Sequence, residues 1–238
     1  MSEDTAIEVF SVDSLALSVD ATKWKFAIQR RREIDALFTE LQSAKPALFN
    51  GQVLLMHDYA IVDGIMRGKF LQSDYASFAA WQRWGRPPAR IYDCFGSAAI
   101  LSADGAFLLG EMGVHTFNAG HIYFPCGVPD PSDIRSDGML DLDFSVRREL
   151  FEETGLGADS LVAEPGWTII VDGALVAVIK VFRSEMSAVP LRNLILQNLT
   201  REQQPEFSNI RVVRSVDDFD PMMRGFVKKF MTQRFARA

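Results

Sequence analysis

Only two cysteines and three histidines occur among the 238 residues, and that scarcity excludes whole classes of chemistry. A disulfide scaffold needs more than Cys94 and Cys126. His57, His115 and His121 stand at no zinc-binding spacing from either cysteine, so they are expected as solvated or core-satisfied side chains. The cysteines are expected as thiols in a reducing cytoplasm. No apolar run approaches the roughly 20 residues of a membrane helix, and the first residues do not read as a secretion signal. A basic surplus is missing too. Net charge is -6 and the pI is near 5.2, with basic residues scattered apart from Arg30-Arg31-Arg32, which argues against a nucleic acid polymer or an anionic membrane as partner. A small phosphate-bearing substrate held through metal needs no global positive field. There is no internal repeat or low-complexity tract. What is present is 48% hydrophobic and 24% charged residues, enough apolar material for one compact unit or a domain with an N-terminal extension.

Alternation of apolar residues from Ile7 to Val19 predicts one or two short strands broken near Asp13-Ser14. Trp24 to Leu41 is expected as one helix, with Phe26, Ile34, Leu37, Phe38 and Leu41 as its apolar stripe and Pro46 as its stop. The arginine triplet is then expected on a solvated face, or else in contact with a substrate or partner. Gln52 to Tyr59 and Ala60 to Lys69 read as two strands, with Asp63-Gly64 as a turn or bulge. Tyr75 to Trp84 reads as a helix closed by Gly85 and Pro87-Pro88. That diproline is taken as the joint between an N-terminal part, 1–88, and a core, 89–238.

Within the core, strands are expected at Ile91 to Ala103, Ala106 to Glu111 and His121 to Pro125. The loop Cys126-Gly127-Val128-Pro129-Asp130-Pro131 and an acidic, turn-rich stretch to Asp143 follow, where Asp141 or Asp143 is placed to cap a helix. Beyond that helix lie an expected hairpin around Asp172-Gly173, a helix from Leu191 to Thr200, a strand from Ile210 to Val216, and a closing helix opened by Pro221.

One short stretch carries most of the chemistry, Arg148-Glu149-Leu150-Phe151-Glu152-Glu153-Thr154-Gly155-Leu156. On a helix advancing about 100° per residue, Glu149, Glu152 and Glu153 point the same way. Clustered carboxylates repel and raise one another's pKa, so such a concentration implies a cation to offset it. Oxygen-only ligands suit Mg2+ or Mn2+. Leu142, Val146 and Leu150 flank the carboxylates on one side, and Phe144 and Phe151 lie nearly opposite. A helix buried on two sides, with its acidic edge open, is the expectation.

The stretch resembles the C-terminal half of the Nudix box, a glycine and a glutamate upstream followed by Arg-Glu-aliphatic-any-Glu-Glu-any-Gly-aliphatic. Arg148, Glu149, Leu150, Glu152, Glu153, Gly155 and Leu156 match it. The resemblance implies an α/β fold, a Nudix-type α/β/α sandwich around a mixed sheet, here with an N-terminal α+β extension packed on the core. It implies metal-dependent hydrolysis of a nucleoside diphosphate linked to another moiety. Carried over, Glu149, Glu152 and Glu153 would be Mg2+ or Mn2+ ligands, one of them also a base for water. Arg148 would orient a glutamate through its guanidinium fork. Gly127 matches the glycine ahead of the box, where a backbone carbonyl approaches the metal. The substrate would be a small nucleotide, and a homodimer is left open.

The upstream half departs from the pattern. Leu140 stands where the family has glutamate and Ile134 where it has glycine, and Gly127 and Arg148 are twenty-one positions apart, seven more than the pattern has. Asp141 or Asp143 is a candidate replacement, although neither is in register. This long acidic loop, the segment Ala47-Leu48-Phe49-Asn50-Gly51 and Tyr75-Ala76-Ser77-Phe78 resemble the atypical branch that includes UDP-glucose pyrophosphatases. Hydrolysis of a nucleotide sugar to nucleoside monophosphate and sugar phosphate is the activity that implies; a Nudix-fold binding or regulatory module without catalysis is the alternative. The Leu48 to Gly51 part also reads as an ordinary anchored turn. Glu202 and Glu206, after the Leu191 helix, are further candidates for a catalytic base. Phe95, Phe117, Tyr123 and Trp167 are candidates to stack on a base, with aromatic core as the commoner fate.

Overall fold

The computed structural model describes residues 7–46 and 48–237; Ala47 of the Ala47–Gly51 segment lies outside them. In chain order the elements are β1 (Glu8–Val12), β2 (Ser14–Asp20), α1 (Lys25–Gln29), α2 (Arg31–Ala44), β3 (Gln52–Val62), β4 (Ile65–Asp74) and α3 (Tyr75–Arg83). They continue with β5 (Asp93–Leu101), β6 (Phe107–Met112), β7 (Ile122–Tyr123), β8 (Cys126–Gly127) and α4 (Leu142–Thr154). The last are β9 (Val162–Ala163), β10 (Trp167–Asp172), β11 (Leu175–Arg183), α5 (Ala188–Leu199), β12 (Phe207–Val213) and α6 (Gly225–Phe235). The class is α/β, with a large mixed sheet and helices.

Two compact units share the chain. The larger takes Met1–Asp13, Phe95–Gly127 and Asp143–Ala238, and the smaller takes Ser14–Cys94 and Val128–Leu142. This division differs from a single joint at Pro88, for a physical reason. Strand pairing, which ignores sequence distance, decides membership: β1 runs antiparallel to β10, whereas Tyr92 bridges Met56 in the smaller unit.

In the smaller unit β2, β4 and β3 form a sheet, β2 parallel and β3 antiparallel to β4. Asp63 and Gly64, both at positive φ, make the two-residue turn between β3 and β4 that matches strand twist. Ile34 and Phe38 of α2 bury against Ala76 and Ala80 of α3, each large side chain contributing about 1.5–3 kcal/mol. The single helix expected from Trp24 to Leu41 is broken at Arg30 (φ -108°, ψ 18°). There the Arg30 guanidinium lies 4.3 Å from the Trp84 ring centroid and pairs with Glu33. Arg31 donates to Asp74 at 2.9 Å and to the Ser77 hydroxyl at 2.8 Å. Two arginines of the triplet therefore hold α1, α2 and α3 together, and do not simply face solvent.

The acidic stretch before α4 is also tied down. Asp130 and Asp133 cap each other's backbone around a 3-10 turn, the Leu54 N–H donates to the Pro129 carbonyl at 2.8 Å, and the Leu140 N–H donates to the Leu17 carbonyl at 3.0 Å. Residues 128–142 are thus a built part of the smaller unit, with Leu140 buried in it. Asn50 and Gly51 accept the Ala76 and Tyr75 N–H groups at 2.8 Å, which makes 48–51 an anchored turn ahead of α3.

The larger unit is built on a nine-stranded sheet in the order β1-β10-β11-β5-β6-β12, with β7 on β6, β8 on β5 and β9 on β11. Helix α5 packs on β12 and α6 on β10, and Phe107, Phe124 and Phe230 form an edge-to-face cluster. Three boundaries differ from the periodicity. Helix α5 starts at Ala188, with Pro190 in its first turn, where a missing N–H costs nothing. Strand β12 starts at Phe207 because that ring lies over Gly110 of β6, where a Cβ would come within 2.2 Å of it. Helix α6 starts at Gly225 because Asp220 first turns the chain by accepting the Met222 and Met223 N–H groups.

Candidate functional site

Helix α4 is where the sequence concentrated its chemistry, and one of its two expected apolar flanks is different. Leu142, Val146 and Leu150 are buried, but Phe144 and Phe151 are 51% and 60% exposed. The buried arc is continuous instead, Glu153 falling between Leu142 and Val146 around the helix, with Ser145 and Thr154 at its two edges. The helix stops at Gly155 (φ 68°), a conformation that favours glycine. Asn198 of α5 donates to the Thr154 carbonyl at 3.1 Å, and a Cβ on Gly155 would lie 2.6 Å from its amide nitrogen. This register fixes which helix turn faces β8.

At that turn the carboxylates meet the sheet. The Cys126 N–H donates to Oε2 of Glu153 at 2.9 Å. Gly127 passes so close to Glu149 that a Cβ there would lie 2.3 Å from its carboxyl group, so a side chain at 127 would displace the Glu149 carboxylate. The Arg148 guanidinium stands 3.0 Å from Glu149 and 3.1 Å from Glu152 through the same nitrogen, Nη1. Glu152, 54% exposed at its side chain, is thereby drawn along the helix surface.

Glu206 joins this group from fifty-three residues away in sequence. The Gly113 N–H donates to its carbonyl at 2.7 Å, and its neighbour Phe207 is locked over Gly110, so its carboxylate sits beside that of Glu153. Burial, then the charges of Glu206 and Glu149, push the Glu153 carboxyl well above the usual range, opposed by the Cys126 N–H. Tyr123 is nearby, its hydroxyl bonded to Asn118; burial raises its pKa, reinforced by Cys126, Glu153 and Glu206 and opposed by the Asn118 bond.

Other candidates fall elsewhere. Glu202 is exposed in the turn after α5. Asp143 pairs with Arg147 one turn along α4 at 2.6 Å, and Asp141 belongs to the smaller unit. Phe95 packs edge-on to Phe226, Trp167 carries Lys180 over its ring at 4.5 Å, and Phe117 is partly exposed. His57 meets Asp20 at 3.0 Å and His121 the Asn118 carbonyl at 3.1 Å. Asn198 was not singled out from the sequence, where a lone asparagine in a helix carries no local signal.

The residues fit a hard divalent cation in kind. Glu149, Glu153 and Glu206 offer oxygen only, and Glu153 is buried among like charges that a cation would offset. Among the described residues no three His, Cys, Asp or Glu side chains close tightly enough to chelate one ion. Mg2+ is commonly held by one or two carboxylates with water and substrate phosphate completing the shell, which this donor set allows.

No family model matches the sequence, and no curated protein matches it. Several solved structures are partly similar. The MutT protein from Methanosarcina mazei Go1 is 21% identical, over 61% of this chain and 94% of that one, with a TM-score of 0.41. A Nudix hydrolase from Nitrosomonas europaea is 17% identical over 61% and 90%, with a TM-score of 0.41. A bifunctional NMN adenylyltransferase/ADP ribose pyrophosphatase from Francisella tularensis is 11% identical over 68% and 46%, with a TM-score of 0.43. Among the described residues no helix is long and apolar enough to cross a membrane.

Proposed function

We propose that the larger unit is a Nudix-type pyrophosphohydrolase acting on a nucleoside diphosphate linked to a second group, with a nucleotide sugar as substrate class. One observation carries the reading. A buried glutamate, Glu153, is held against Glu149 of its own helix and Glu206 from the chain before β12, where the helix resembles the C-terminal half of the Nudix box and Gly127 is pressed against Glu149. A fold gains nothing from gathering two further carboxylates around a buried one; a polyphosphate hydrolase does.

In this reading Glu149 and Glu153 are the principal ligands of Mg2+ or Mn2+, with Glu152 completing the set from the helix surface. The cation, when bound, offsets charge on the phosphate oxygens and lowers the pKa of attached water. Arg148 orients Glu149. Glu206, exposed beside Glu153, accepts the proton of the attacking water. A P–O bond of the anhydride breaks as water's oxygen bonds to phosphorus, giving a nucleoside monophosphate and a sugar phosphate. Both thiols are free, which agrees with a cytoplasmic setting.

Incubation with UDP-glucose, ADP-ribose and other nucleotide sugars plus Mg2+, with the products resolved by chromatography, tests this. Turnover of at least one is expected; none on the whole panel contradicts it. A second reading, a nucleotide-binding module without catalysis, is favoured by Leu140, which occupies the upstream glutamate's place and is buried. Calorimetric binding of the same nucleotides without hydrolysis, even with Mn2+, would establish it.

A further inference from the structure

We propose that the smaller unit carries a ligand site of its own, a cavity for a phosphorylated metabolite of nucleotide size. The cavity holds about 1070 Å³ and is lined only by residues between Asp20 and Tyr92, so it is formed within that unit. Its volume is at the upper end of small-molecule sites, which run to roughly 1,000 Å³.

Charge decides the ligand class. Five lysine and arginine side chains line the cavity against two aspartates, in a chain whose net charge is -6. Arg30 is spoken for by Glu33 and Trp84, and Asp20 by His57 and the Thr22 N–H. Lys23, Lys25, Lys69 and Arg90 make no ion pair with any described residue. Five cations against the carboxylates of Asp20 and Asp58, the latter opposite Lys69 across the β3–β4 pair, leave the lining net positive, and a compact polyanion such as a phosphate chain matches it.

The apolar wall sets the other half of the ligand. Phe26, Leu71, Ile91 and Tyr92 line the same cavity, surface that suits the ring portion of a metabolite better than a bare inorganic ion. Trp24, a further lining residue, is buried, and its indole N–H has no hydrogen-bond partner among the described residues. Such a donor is costly when left unmet, and it stands ready for an acceptor that the described residues do not supply. Lys25, Phe26 and Gln29 of α1 line the cavity together with Arg30 at the α1–α2 break. The site requires no metal and none of the α4 carboxylates, so it stands or falls apart from the proposed hydrolysis.

Calorimetric titration of the whole chain with ATP and with adenosine, in excess EDTA so that hydrolysis is silent, tests the proposal. ATP is expected to bind one site with salt-sensitive affinity, adenosine at least tenfold more weakly. Two paired variants, Lys23→Gln with Lys69→Gln and Lys25→Gln with Arg90→Asn, are each expected to weaken ATP tenfold or more while melting at the wild-type temperature. Arg90→Asn respects the positive φ at that position. Glu149→Gln with Glu153→Gln is expected to leave this binding in place. Absence of ATP binding overturns the proposal, as does equal binding of adenosine, or wild-type affinity in both well-folded paired variants.

Discussion

Asp74 and Glu153 are both carboxylates withdrawn from water at a helix, and the structure treats them in opposite ways. Asp74 caps α3, accepting the Ser77 N–H and hydroxyl and two guanidinium nitrogens of Arg31. Burial pushes its pKa up, but the bonds from Arg31 and Ser77 outweigh burial and hold it below the ordinary range. Glu153 has one backbone N–H and two neighbouring carboxylates, and its proton affinity goes up. The first arrangement is what stability selects; the second is tolerated only where something else is gained. Under the proposed function, that contrast is what separates Asp74 as a helix cap from Glu153 as a metal ligand.

The contrast is most strongly tested by Glu153→Gln, which is expected to lower turnover by on the order of a hundredfold or more in a nucleotide-sugar assay, as losing one transition-state contact does. Activity within twofold of wild type would remove Glu153 from the site. Asp74→Ala should act on folding instead. It removes a cap and leaves Arg31 half-buried without its main partner, so urea unfolding is expected to show a loss of about 2–4 kcal/mol.

The same aspartate gives a pH signature. Its folded pKa lies below the unfolded value of about 3.9, so its contribution is fully present above that value and is lost as pH falls through the folded pKa. The stability gap between wild type and Asp74→Asn is therefore expected to be constant from pH 7 to 5 and to narrow below about pH 4. A gap unchanged at pH 3 would contradict the assignment.

Gly155→Ala places a side chain at positive φ and against Asn198, and is expected to cost about 1–2 kcal/mol. Asp143→Ala removes an exposed pair with Arg147 and is expected to change stability by less than about 0.5 kcal/mol, with no effect on turnover. A large loss of turnover would make Asp143 the replacement for the glutamate missing at Leu140.

How much of this was legible follows from distance along the chain. Glu149, Glu152, Glu153 and the Gly155 stop could be placed from spacing because one helix turn brings them together. Gly127 was found by pattern, and its reason, the carboxyl of Glu149 against its Cα, needed coordinates. Glu206 stood out only faintly because what places it, Phe207 over Gly110, joins residues far apart in sequence. Arg31, expected on a solvated face, keeps 41% of its side chain exposed, and its partner Asp74, forty-three residues on, was hidden from the sequence for the same cause. The 128–142 stretch looked like a loop because its composition is polar, but Leu140 and Pro129 pair with β2 and β3, and pairing of that kind leaves no local trace. The two-sided burial of α4 failed in an instructive way: Phe144 and Phe151, taken as a second apolar flank, are exposed, and Glu153 is buried within the stripe of Leu142 and Val146.

The central claim is that Glu149, Glu153 and Glu206 form a site whose charge awaits a cation. Thermal melts of wild type and Glu153→Gln, each with EDTA and with Mn2+, test it most directly. Wild type is expected to melt below the variant in EDTA and to rise by several degrees with Mn2+, while the variant starts higher and responds little. A variant that melts below wild type in EDTA, together with a wild type indifferent to Mn2+, would contradict the account.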